Sequence, residues 1–119
     1  MNLESNDAAA NVVHLTGHLS ALPQTRQLPS GDLVTSFRLV VPRSAGARRR
    51  TRQSVDTIEC SVWTSRLRRS VSKLTPGARL EVSGELRRTF RRSPAGVSSW
   101  VTVDAHRVEC LHDEVPAPQ

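Results

Sequence analysis

The side chains best suited to chemistry in this chain are a tryptophan and a crowd of arginines. Asp56 to Trp63 alternates strictly: Ile58, Cys60 and Val62 share one face of a strand, while Thr57, Glu59, Ser61 and Trp63 share the other. Trp63 therefore lies on the polar side of its own strand. An indole turned outward is a flat π-surface on which a nucleobase can stack. The competing reading is a ring at an oligomer interface or across a barrel mouth. Trp100 also has polar parity and the same two readings. Phe90 stands at the root of a hairpin, where a ring either stacks on a ligand or pins the hairpin to its own domain.

The charge points the same way. Lys plus Arg is 17 against 11 acids, a net +6 over 119 residues. All the basic residues fall between Arg26 and Arg107, whereas Glu4, Asp7, Asp113 and Glu114 lie in the tails. The body thus carries 17 bases against 7 acids, or +10, and attracts polyanions. Lys73 is the single lysine. Arginine binds phosphate bidentately and stacks on bases, although a GC-rich coding sequence produces the same bias. Arg48, Arg49, Arg50 and Arg52 crowd one loop, and Arg87, Arg88, Arg91 and Arg92 flank the hairpin. Both groups read as phosphate contacts, because unneutralised like charges repel. Arg38 and Arg43 on a strand could track a backbone. Arg66, Arg68 and Arg69 fit a solvated helix face better.

Other chemistries are poorly supported. Cys60 and Cys110 lack CxxC spacing and share the apolar parity of their strands, which reads as reduced core residues in a cytosolic protein. A disulfide is the alternative. His14 and His18 share an outward face without a carboxylate or thiolate beside them, so no metal is expected. There is no glycine-rich phosphate loop, paired carboxylate or nucleophile–base arrangement, and hence neither an enzyme nor a cofactor is expected.

The elements that must position these residues follow from periodicity. Residues 1–10 read as a polar tail, 11–111 as one domain and 112–119 as a second short tail. Asn11 to Ala21 is a half-buried strand with Gly17 where it bends or another backbone approaches. Pro23 breaks it. Leu28 to Asp32 is a turn. Leu33 to Arg43 is a strand with Phe37, Leu39 and Val41 inward. Ser44 to Ser54 is a loop whose like charges resist ordering. Val55 to Trp63 is the third strand. Leu67, Val71 and Leu74 then recur at helical spacing, capped by Thr64 or Ser65 and ended by Pro76-Gly77. Arg79 to Thr89 is a strand with Leu80, Val82 and Leu86 inward. Phe90 to Ser99 is a hairpin arm. Trp100 to Leu111 is the last strand, with a bulge expected near Ala105 to Arg107, where the apolar parity changes.

Three strands, a helix and two strands describe an all-β, five-stranded OB-fold Greek-key barrel. Its helix sits between the third and fourth strands, and its long β-hairpin arm between the fourth and fifth.

Over Asn11 to Leu111 the chain resembles the bacterial single-stranded DNA-binding protein family. The resemblance rests on the order and spacing of Asn11-Val-Val-His-Leu-Thr-Gly-His-Leu19, Pro29-Ser-Gly31, Phe37-Arg-Leu-Val-Val-Pro-Arg43, Cys60-Ser-Val-Trp63, Leu74-Thr-Pro-Gly77 and Val82-Ser-Gly-Glu-Leu86. It implies an OB fold, self-association as a homotetramer or dimer, and sequence-tolerant binding of single-stranded DNA in replication, repair or recombination. It implies a base-stacking role for Trp63, places Phe90 near another aromatic position of the hairpin, and matches Trp100 to an aromatic at the start of the last strand. The chain departs from the family at Thr57 and in the arginine loop, where rings are common. Arginines would then carry more of the affinity. Housekeeping members carry a linker with an acidic, hydrophobic tip. None is visible at Glu114-Val-Pro-Ala-Pro-Gln119, so tail-mediated recruitment of repair enzymes is not expected. The implied setting is the bacterial cytoplasm and nucleoid, with no membrane. The alternative is a primosomal-type OB module that bridges replication proteins and binds nucleic acid weakly.

Overall fold

A computed structural model describes residues 9–111. The tails expected at 1–10 and 112–119 lie outside the described residues, apart from Ala9 and Ala10. The elements are β1 (Val13–Leu19), β2 (Gln24–Gln27), β3 (Leu33–Pro42), α1 (Ala45–Arg50), β4 (Val55–Val62), α2 (Ser65–Ser72), β5 (Arg79–Ser93) and β6 (Gly96–Leu111). The strands run in the order β1-β5-β6-β4-β3-β2, and β1 also pairs with β3. That pairing closes a barrel of β1, β5, β6, β4 and β3, with β2 as an extra strand along β3. The expected all-β OB fold is thus the observed one.

Two seams close the barrel. β1 meets β3 through His18–Val40 and Leu19–Leu39. β4 meets β6 in parallel through Cys60–Val103 and Ser61–Asp104. The first seam requires Gly17, because a Cβ there would collide with the Val40 carbonyl. The end of β1 is then tied to the turn after α2, where Leu19 donates to the Ala78 carbonyl at 2.9 Å and Gly77 donates to that of Leu19 at 2.8 Å. Gly77 has a φ of +92°, which a glycine adopts without strain.

The core is the inward parity of the strands: Leu19, Phe37, Leu39, Cys60, Val62, Leu80, Val82, Val103 and Ala105. α2 plugs it with Val71, and Leu67 and Leu74 pack alongside. Thr64 caps α2 by accepting from the Leu67 amide at 3.2 Å. On β6, Ser83 pairs with Arg107 and Gly84 with Ala105. His106 is therefore the extra residue of a bulge, inside the stretch where the change of parity predicts one.

Four expectations are corrected. Gln24–Gln27 is a strand, which the turn at Leu28 to Asp32 joins to β3 as a hairpin. The arginine loop contains α1: Ser44 caps it by accepting from the Ala47 amide at 3.3 Å, and the arginines of its last turn suit a helix C-terminus. Leu86 is 50% exposed, because β5 leaves the barrel there and continues as the arm. Cys110 is exposed, one residue from the end of β6.

Candidate nucleic-acid interface

The outward face of β3 and β4 forms the floor of an open groove. Parity on β4 turns Glu59 and Ser61 outward, and Trp63 follows at the strand end. The antiparallel register sets Ser36 beside Ser61 and Arg38 beside Glu59. On the other side of β4, the short parallel seam brings β6 and the root of β5. A cavity of about 260 Å³ results, lined by both tryptophans together with Arg26, Ser36, Glu59 and Arg87. It continues past Gln24 and Thr25 to Ala21, Leu22 and Arg38. The two indoles have similar exposure, 42% for Trp63 and 39% for Trp100. A flat surface in that half-covered state is held by its neighbours and still open to a ligand ring.

Trp63 is fixed from behind. The Arg68 guanidinium donates to the Trp63 backbone carbonyl, so this arginine of α2 works on the site's frame. Trp100 is set by the arm, where it pairs with Thr89. Thr89, Arg87, Arg91, Thr102 and Asp104 share its face, and Arg87 is held to Asp104 at 3.0 Å.

Phe90 is not brought to the groove with the tryptophans. It pairs with Ser99, on the opposite parity of the arm from Trp100. It is 64% exposed there, among exposed Leu86, Val97 and Val101. Arg88 and Arg92 share that back face, and Arg88 donates to the Ser99 hydroxyl at 2.9 Å. Of the arm arginines, Arg87 and Arg91 face the groove side.

Arg43 is engaged elsewhere. Its guanidinium donates twice to Asp56, at 3.0 and 2.8 Å. That hydrogen bonding holds the Asp56 carboxyl below its ordinary range and the Arg43 guanidinium above its own. The Arg43 carbonyl accepts from Arg48 at 2.9 Å, which anchors α1. Arg49, Arg50 and Arg52 are exposed on or just after α1. They stand at the Pro42–Val55 end of the β3–β4 hairpin, and Trp63 stands at the Thr35–Val62 end. Eight register pairs separate those ends, roughly 25 Å of strand.

His14 bonds Ser83 at 3.0 Å and lies 3.5 Å from Glu81, so the pairing of β1 with β5 does bring a carboxylate beside it, which the sequence reading did not expect. Among the described residues no group of metal ligands gathers. No helix there is long and apolar enough to cross a membrane.

Arg26 and Glu59 are groove residues that sequence reasoning did not select. The signal for Arg26 was the Leu28–Asp32 turn, since a hairpin turn ahead of β3 requires a strand before it. The signal for Glu59 was its shared parity with Trp63.

A small closed barrel with an open, ring-lined groove across its third and fourth strands defines an OB-fold binding domain. The model of the single-strand binding protein family matches residues 10–111. The chain belongs to that family, whose members are non-enzymatic and bind single-stranded DNA. Comparison with the curated proteins found no match.

Proposed function

We propose that the protein binds single-stranded DNA with little sequence preference and serves replication, repair or recombination in the bacterial cytoplasm. Bases stack on Trp63 and Trp100, while Arg26, Arg38 and Arg91 hold phosphates beside the groove. The strand then follows the outward face of β3–β4 to Arg48, Arg49, Arg50 and Arg52. The observation that carries this reading is the pair of half-exposed indoles in one groove.

Titration with a mixed-sequence DNA oligonucleotide should quench tryptophan emission. Trp63→Ala and Trp100→Ala should each weaken binding by about 1–3 kcal/mol. Phe90→Ala, on the other face of the arm, should cost much less. Absence of quenching, with no loss in either tryptophan variant, would overturn the assignment.

Self-association to a homotetramer or dimer is part of the same proposal. It is supported by the exposed apolar back of the arm at Leu86, Phe90, Val97 and Val101. A bridging module would use that same face for another protein. In that case Phe90→Ala would abolish partner binding and Trp63→Ala would leave it intact.

A further inference from the structure

Glu59 is the discordant group of the groove. It lines the whole length, from the Leu22–Arg38 end to the tryptophans. A carboxylate on the floor of a surface built to attract a polyanion repels phosphate. The groove's other carboxylate, Asp104, is neutralised by Arg87 at 3.0 Å. Glu59 has no such partner. Arg38 lies opposite it in the register, yet among the described residues the Glu59 carboxylate makes no hydrogen bond or ion pair. It is half-buried beside Trp100. What meets it must then be the base side of a bound strand.

A carboxylate offers acceptors only. Cytosine, adenine and guanine each carry an exocyclic amino group that donates. Thymine carries a carbonyl oxygen in place of cytosine's amino group. Its one donor, the ring N3–H, lies between two carbonyl oxygens that a carboxylate repels. We propose that Glu59 reads base composition: it accepts from exocyclic amino groups, so the groove favours amino-bearing bases over thymine. This rests on the single-strand binding reading above and adds a compositional bias to it.

Cytosine and thymine share a ring size, so they isolate the effect from differences in stacking area. Dissociation constants would be measured for oligodeoxycytidine and oligothymidine of equal length, at mildly alkaline pH where cytosine is unprotonated. The wild-type chain should prefer cytosine by roughly three- to tenfold, the net effect of one hydrogen bond in a partly open site. Glu59→Gln is nearly isosteric and offers both a donor and an acceptor, so it should bring the cytosine-to-thymine ratio close to one. Glu59→Ala should do the same. Either variant can tighten both oligonucleotides by removing a negative charge, but that factor cancels in the ratio. If both variants keep the wild-type ratio, Glu59 only repels phosphate and the inference fails while strand binding stands. If the wild-type chain binds neither oligonucleotide, the binding assignment itself fails, and the inference with it.

Discussion

Cys60 and Trp63 show how much one alternation decides. Cys60 falls inward and is fully buried. Burial, with Glu59 next to it adding a smaller effect, pushes its thiol up to about 12. The thiolate is the reactive form, so this cysteine is inert in the folded state. Cys110 is exposed. Native protein should therefore take up one equivalent of an alkylating reagent, with Cys110 as the labelled site by mass mapping, and a second only after unfolding. Rapid native labelling of Cys60 would contradict its burial. Trp63 was legible because β4 alternates without a break up to it. Cys110 and Leu86 were not, because parity gives only a direction. Whether anything covers a side chain depends on where the barrel ends along the strand, and both residues lie beyond that point. The place of Phe90 on the other face of the arm from Trp100 was not legible either, because its register against Ser99 is a property of the folded arm.

At the scale of elements, the barrel depends on close backbone approach. Gly17→Val would drive a side chain into the Val40 carbonyl where β1 crosses from β5 to β3. It should destabilise the domain by about 1–3 kcal/mol, read as a lower thermal midpoint. Gly46→Ala is the control. Position 46 is open space within α1, and alanine is the better helix former by about 1 kcal/mol. That variant should melt no lower than wild type. The strand–helix order was readable because each period runs long enough to count. β2 was not, since it has four residues, all of them exposed. α1 was not legible because the repulsion among its arginines is offset by a cap that only the folded turn forms. Ser44 and the Arg48 bond to the Arg43 carbonyl hold the first turn, and the arginines project into solvent.

For the whole molecule, the decisive quantity is the +10 carried between the tails. If four arginines meet phosphates, log K against log salt should fall with a slope of about −3 for a single strand. Replacing Arg49 and Arg50 with alanine should flatten that slope while leaving tryptophan quenching at saturation unchanged. A salt-independent affinity would contradict the proposed path to α1. The charge was plain in the sequence. The separation of the α1 arginines from the rings, by the length of the β3–β4 hairpin, became visible only once β3 and β4 were paired. The barrel's joints are unequal as well. β5 and β6 are zipped through fifteen register pairs, whereas β4 and β6 touch through two. Trp63 stands on the β4 side of that thin joint and Trp100 on the β6 side. A strand resting on both rings would act as a clasp across one of the barrel's two thin seams, so that occupancy and closure reinforce one another.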